Sequence, residues 1–273
     1  MSDPHIGAAM DVRFGATVEA FMRFVTDLGL RHVEFKHEYL AGHPETPDPE
    51  RTRELAERYG VTLSYHAPFR DWNAGSYDET VRRNAVERVK RTIDDAATAG
   101  ATGVVVHGGS VPRRYPEWVR ERARENAHRS LAECAEYAQL VGVPLCVENQ
   151  PVDERRTRYT TSPADLAAMI DAVDVSPRYL GVTLDVGHAK VSDHDWRAFV
   201  EEFGDRIRVC HLHDNDGTAD QHEPFAEYES VVESVPAECF VFEMKSIVDV
   251  ATSVGSDAEP PDPAPELEVG GGE

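Results

Sequence analysis

A chain of 273 residues is long enough for one α/β barrel or for two ordinary domains. Its formal charge of -22 at pH 7, from 50 acidic against 28 basic residues, excludes a general affinity for nucleic acid at low salt, because phosphates would be repelled. No run approaches the roughly 20 apolar residues that span a bilayer, and the opening MSDPHIGAAMDVRFG lacks a basic region followed by a long apolar one, so neither a membrane partner nor a signal peptide is expected.

Residues 5–12 (HIGAAMDV) predict a weak first strand, and apolar spacing predicts a helix from Thr17 to Leu28. His32 to Glu38 (HVEFKHE) predicts the second strand, followed by a charged helix over Pro47 to Arg58 that opens on proline and acids. Val61 to His66 is the third strand, and a long helix over Asp78 to Ala99 stops at Gly100. Gly103 to His107 is the fourth strand, with Gly108 and Gly109 after it, and Pro116 to Leu140 a helix that ends at Gly142. Pro144 to Glu148 is the fifth strand; Ser162 then caps a helix running to Val173. Leu180 to Asp185 is the sixth strand, His194 to Phe203 a helix, and Arg206 to His211 the seventh strand. Ala226 to Val235 is a short helix, Cys239 to Glu243 the eighth strand, and Ser246 to Val254 a short last helix.

Eight short apolar strands alternating with helices predict a single (β/α)8 TIM barrel over residues 1–254. An open doubly wound sheet is the other arrangement of such units, but no GxGxxG or GxxxxGK[ST] supports a nucleotide-binding version. Residues 255–273, rich in Pro, Gly and acids, are expected to be a disordered tail.

Only four basic residues are lysine: Lys36, Lys90, Lys190 and Lys245. An acidic surface that prefers arginine resembles proteins of salt-accumulating halophiles, so the charge speaks of solvent more than of substrate. Cys134, Cys146, Cys210 and Cys239 show no CxxC spacing and read as buried free thiols of a cytoplasmic protein.

The chemistry gathers at the strand ends. Strands three to eight end at His66, His107, Glu148, Asp185, His211 and Glu243, with His188 three residues after Asp185. In a barrel the carboxyl ends of the strands converge on one face, where active sites sit. The stretch VCHLHDNDGTADQH (209–222) adds His213, Asp214, Asp216, Asp220 and His222. Imidazoles and carboxylates together suit a divalent cation, Mn²⁺, Mg²⁺, Co²⁺ or Zn²⁺.

The motifs SYHAPF (64–69), VVVHGG (104–109), VEN (147–149), LDVGHA (184–189), CHLHDN (210–215), DQH (220–222) and FE (242–243) resemble, in order and placement, those of the xylose-isomerase-like TIM-barrel superfamily over about residues 5–250. That group holds sugar-phosphate isomerases and epimerases, and also endonuclease IV. Resemblance to the epimerase-like branch implies one divalent cation held by Glu148, Asp185, His211 and Glu243. It also implies that Glu148 and Glu243 remove and return a proton through a metal-bound enediolate, with His188 on a substrate oxygen. Glu154 matches, more weakly, a glutamate behind that site.

The endonuclease IV branch joins His66, His107, His188, Asp220 and His222 to the same four residues and binds three zinc ions. These five are therefore expected to bind substrate or additional metal. The expected function is metal-dependent isomerisation or epimerisation of a sugar or sugar phosphate. The alternative is a zinc-cluster phosphodiesterase acting on abasic DNA, against which stand the charge and the lack of a basic stretch interleaved with aromatics. A barrel that binds a sugar without turning it over is a third reading.

Around the mouth, Arg155, Arg156 and Arg158 read as a solvated loop or as an anchor for a substrate phosphate. Trp72 and Asn73 offer a sugar-stacking face and a hydroxyl partner; His213 and Asp214 are candidates to orient His211. The loop EPFAE (223–227) departs from the glycine-rich turn of relatives. Oligomeric state is not legible in the sequence.

Overall fold

The strand HVEFK shows how this chain builds its barrel. Val33 and Phe35 enter the apolar layer beneath the helices, so by the period of two His32, Glu34 and Lys36 face the barrel axis. The computed structural model describes residues 4–42 and 45–262. The chain runs through β1 (His5–Met10), α1 (Val18–Asp27), β2 (His32–Lys36), α2 (His37–Gly42), α3 (Pro49–Tyr59) and β3 (Thr62–His66). It continues through α4 (Glu79–Ala99), β4 (Val104–His107), β5 (Ser110–Pro112), α5 (Glu117–Val141), β6 (Leu145–Glu148), β7 (Arg156–Arg158) and α6 (Pro163–Asp171). The last third holds β8 (Leu180–Asp185), α7 (Val186–Val191), α8 (Trp196–Phe203), β9 (Ile207–Leu212), α9 (Tyr228–Ser234), β10 (Cys239–Phe242) and α10 (Ile247–Ser253).

Eight of the strands close in the order β1-β10-β9-β8-β6-β4-β3-β2, all parallel. This is the predicted (β/α)8 barrel. Helix starts follow the capping expected from sequence: Asp48, Asp78 and Ser162 each accept a hydrogen bond from a first-turn N–H. Gly60, Gly100 and Gly142 close α3, α4 and α5 in the left-handed region.

The structure corrects the predicted elements in three places. The second strand stops at Lys36, and His37 already begins α2. The segment after β8 turns straight into α7, because the Asp185 side chain caps it by accepting the N–H of His188 at 2.7 Å. Finally, β5 and β7 pair antiparallel as a separate two-stranded sheet over the barrel mouth. Strands of three residues are too short to show a period, so nothing in the sequence marks them.

The core has two parts. Met10, Phe35, Leu63, Leu184, Phe240 and Phe242 face outward against Phe21, Ile93, Leu166 and Phe199 of the helices. Inside the barrel, Ala9, Val105, Cys146, Val209 and Val241 form a smaller plug. The four cysteines are buried and free.

Gly7 lies opposite His32 in the β1–β2 register, and a Cβ there would stand 1.8 Å from the His32 carbonyl oxygen. Backbone cannot yield as a side chain does, so Gly7→Ala is expected to cost at least about 3 kcal/mol. Urea denaturation of the two proteins checks this, and a loss under 1 kcal/mol would contradict the close approach.

Past α10 the Ser256 N–H donates to the Ala251 carbonyl, and Ala258 rests on the core. Most of the expected tail, 263–273, lies outside the described residues. No described helix is long and apolar enough to cross a membrane.

Candidate metal centre

Because alternate residues of each strand face the axis and these six keep step with the inward set of their own strands, His66, His107, Glu148, Asp185, His211 and Glu243 all turn inward at one end of the barrel. Ligand-type atoms of Glu148, Asp185, His211 and Glu243 converge within 4.8 Å of one another. His211 Nδ1 lies 3.1 Å from Glu148 Oε1, 3.4 Å from Glu243 Oε2 and 3.7 Å from Asp185 Oδ2. His66, His107 and Glu148 form a second such group, with Glu148 Oε2 at 2.9 Å from His107 Nε2 and 3.3 Å from His66 Nε2. Glu148 thus belongs to both.

A third group joins His188, Asp220 and His222 to His213. Asp220 Oδ2 is 3.1 Å from His222 Nε2 and 3.5 Å from His188 Nε2, and the His213 and His222 rings stack at 4.0 Å. His213 was expected to orient His211; instead its Nε2 lies 3.0 Å from Asp185 Oδ1, and it completes this group. Its signal was the spacing, two residues beyond His211 and so on the same inward face. Gly187 makes room for the ring, since a Cβ there would fall 2.1 Å from a carbon of His213.

Main-chain carbonyls orient the imidazoles. His66 Nδ1 meets the Ala67 carbonyl at 2.8 Å, His188 Nδ1 that of Asn149 at 2.9 Å, and His222 Nδ1 that of Glu243 at 2.6 Å. Each carbonyl accepts the Nδ1–H, so Nε2 is the nitrogen that faces the cluster and the one whose lone pair a cation would take, the arrangement of a metal-binding histidine. His222 is held for this at φ 57°, a conformation costly for a residue with a Cβ.

The electrostatics carry the same message. Burial opposes ionisation of Glu148, yet His107 and His211 outweigh it and hold the carboxyl well below its usual range. Burial is likewise overcome at Glu243 by Lys36 and His211, and at Asp185 by His188 and His213, which bring it down to about 2. Conversely, burial disfavours the imidazolium of His188, but Asp185, Asp220 and Glu148 raise it to about 10. Three buried carboxylates are therefore balanced by Lys36 and by the imidazoles crowded around them. A divalent cation fits such a donor set, since it supplies the positive charge and leaves the rings neutral. Asp220 Oδ1 and His213 Nδ1, buried without a hydrogen-bond partner, fit it too.

These groups floor a cavity of about 600 Å³, walled by Phe69, Trp72, Gln150 and Pro151. Cations ring it: Arg13, Lys36, Arg70, Arg156, Arg158 and Lys245. Arg156 and Arg158 stand on β7, where Arg156 Nε donates to Ser110 Oγ and Arg158 pairs with Asp153 at 3.3 Å; Arg155 is exposed and outside the lining. Asn73 lines the cavity; its Oδ1 accepts the N–H groups of Gly75 and Ser110 and one Nδ2 proton goes to the Ser110 carbonyl. Trp72 lines the wall with the Arg88 guanidinium over its ring. Glu154 is an exposed carboxylate away from the lining. Asp214 and Asp216 turn outward, Asp214 to Lys190, and Glu223 of the EPFAE loop pairs with Asp214 through two backbone hydrogen bonds. Sequence reasoning missed Asp11 just past β1, Glu34 in the middle of β2 and Lys36 at its end, all beside the centre.

Residues 22–244 match the family described as Xylose isomerase-like TIM barrel. The chain belongs to that family. Among its relatives, the protein MJ1311 of Methanocaldococcus jannaschii is 34% identical over 172 residues, 62% of this chain and 57% of that protein, so the match spans little more than half of the relative. Fructoselysine 3-epimerase of Shigella flexneri is 24% identical over 218 residues, covering 75% of this chain and 74% of the enzyme. Among solved structures, a D-tagatose 3-epimerase-like protein superposes with a TM-score of 0.76 at 26% identity, covering 91% of this chain and 94% of that one.

Proposed function

We propose that this barrel is a divalent-metal-dependent isomerase or epimerase of a sugar or sugar phosphate, with Glu148 and Glu243 as the acid/base pair. The observation that carries the reading is that two ionised glutamates reach His211 from β6 and from just past β10, strands kept apart by β8 and β9, at the floor of a polar cavity. The two carboxylates thereby address a bound substrate from two sides, as removal and return of a proton require. Kinship with an enzyme named as a 3-epimerase supports the same chemistry.

The residues that would hold the cation are Glu148, Asp185, His211 and Glu243. Bound there, it supplies Lewis-acid polarisation of a carbonyl and its neighbouring hydroxyl. Lys36 Nζ holds Oε1 of Glu243 at 2.5 Å, which leaves Oε2 toward the His211 side. His188 lines the cavity beside Glu148 and is placed to hold a substrate oxygen. The ring of Phe69 packs 4.6 Å from His107 and keeps that wall apolar.

The rim supports an anionic substituent on the substrate. No carboxylate of the described residues lies within ion-pair distance of Arg156, and Ser110 holds its guanidinium beside the cavity. If a phosphate docks there, Arg156→Ala is expected to raise KM for a phosphorylated sugar by about 10-fold or more, with little change for the free sugar. Equal KM changes for both would remove the anchor.

A second reading is favoured by one observation, the meeting of all three ligand groups around Glu148 and Asp185. Such a set suits a cluster of zinc ions and a phosphodiesterase of the endonuclease IV type. Elemental analysis of protein purified in molar salt without chelator separates the two. About one divalent ion per chain, with turnover in a sugar screen, is the expected result. Two to three zinc ions and cleavage of abasic-site DNA would replace the first reading by the second.

A further inference from the structure

Glu34 sits in the middle of β2, fully buried, and belongs to none of the three ligand groups. A carboxylate so deep in a barrel costs several kcal/mol unless something nearby needs its charge. Its Oε1 lies 3.1 Å from Nε2 of His211, the nitrogen opposite the one that meets Glu148 and Glu243. Neither Oε1 nor that Nε2 makes a well-aligned hydrogen bond to any described group, so the nearest charge partner of each is the other, at 3.1 Å.

The other oxygen ends a buried chain of hydroxyls and imidazole. Ser64 Oγ donates to Glu34 Oε2 at 2.8 Å, and His32 Nε2 meets Ser64 Oγ at 3.0 Å. His32 Nδ1 in turn meets Thr62 Oγ1 at 2.8 Å. Counting protons orders this chain. The Ser64 hydroxyl has one proton and gives it to Glu34, so His32 Nε2–H must donate to Ser64, while the Thr62 hydroxyl beside His32 Nδ1 also reaches the Arg31 carbonyl at 3.3 Å. The Ser64 hydroxyl thus donates to the Glu34 carboxylate from below, and His211 Nε2 faces its other oxygen from above.

We propose that Glu34 is the positioning residue of the metal centre: it holds the Nε2 proton of His211, fixes the ring, and so presents the Nδ1 lone pair to a divalent cation. This rests on the assignment of His211 as a metal ligand made above. A carboxylate behind a ligating imidazole also makes the ring a stronger donor to the ion. The polar chain through Ser64 and His32 keeps the carboxylate in one orientation inside an otherwise apolar plug.

The test measures binding of Mn²⁺ and Zn²⁺ alone by calorimetry, with no sugar present, to the wild-type chain and to Glu34→Gln and Glu34→Ala. Gln keeps the volume and still offers an oxygen, but only if the chain of donors reverses; its Kd is expected to rise about 10-fold, and that of Ala toward 100-fold. Cooperative melting of the metal-free proteins shows that the variants are folded. Where Ala fails to fold, the Gln variant decides. A folded Gln variant whose Kd stays within twofold of wild type overturns the proposal. A wild-type chain that binds neither ion instead overturns the metal-dependent function itself, so the two failures are told apart.

Discussion

Glu243→Gln is expected to lower kcat for the sugar substrate by about 10²–10⁴-fold while the divalent ion stays bound. Gln preserves the shape of the side chain and its oxygen toward the ion, but it cannot accept the proton taken from carbon. The loss corresponds to about 3–5 kcal/mol of barrier. Lys36 does not become an isolated buried charge, since Asp11 remains 3.3 Å from its Nζ, and Asp11 is itself clamped by Arg13. Loss of turnover alone would not separate chemistry from damage, so the decisive measurement is exchange of the substrate C–H proton with deuterated solvent, followed by NMR alongside metal content. Full exchange in both epimers of the substrate by a metal-loaded Glu243→Gln protein would remove Glu243 from the acid/base pair. The same substitution at Glu148 tests the other half, with a larger expected disturbance because His66, His107 and His211 all lean on that carboxylate.

Binding of the cation is expected to raise Tm by about 8–16 °C when the free ion is a thousandfold above its Kd, from about 4 kcal/mol of linkage and about 2–4 °C per kcal/mol in a chain of this size. The increment should grow with pH. In the metal-free protein the imidazolium of His188 is raised to about 10, against about 6.5 when unfolded. Its contribution is therefore whole below about 6.5 and is lost as pH climbs through about 10. The metal-free form weakens over that window, whereas in the loaded form a cation on Asp185 and Glu148 would take over the charge that raises His188, leaving that ring less of a proton to lose. Melting curves from pH 6 to 10, with and without Mn²⁺ or Zn²⁺, check this. A metal increment that is flat or falls with pH would contradict the picture of cations replacing protons.

The barrel was legible because its signals are local. Strand runs such as GVVVH and LGVTLD are bounded by turns and followed by capped helices, and the repeat of that unit leaves few topologies. The clustering of carboxylates and imidazoles at the ends of β3, β4, β6, β8, β9 and just past β10 was legible for the same reason. Each such residue is the last inward-facing one of its strand. Asp11, Glu34 and Lys36 escaped notice because β1 and β2 were read only as buried runs, although the alternation His32, Glu34, Lys36 is visible in HVEFK. His213 was misplaced by treating it as a neighbour of His211 rather than as the next residue on the same face. The β5–β7 pair was invisible in principle, since Ser110–Pro112 and Arg156–Arg158 become strands only by meeting each other across 46 residues in register.

By itself the sequence determined which residues alternate inward, where helices start and stop, and that carboxylates and imidazoles end six successive strands. These follow from backbone period and capping, which depend on neighbours along the chain. Only the tertiary structure decided that those side chains sort into three overlapping groups, that main-chain carbonyls turn the imidazoles toward them, and that Glu34 stands behind His211. Barrel closure does this by bringing strands far apart in sequence to within hydrogen-bonding distance, where burial makes every charge depend on its partners.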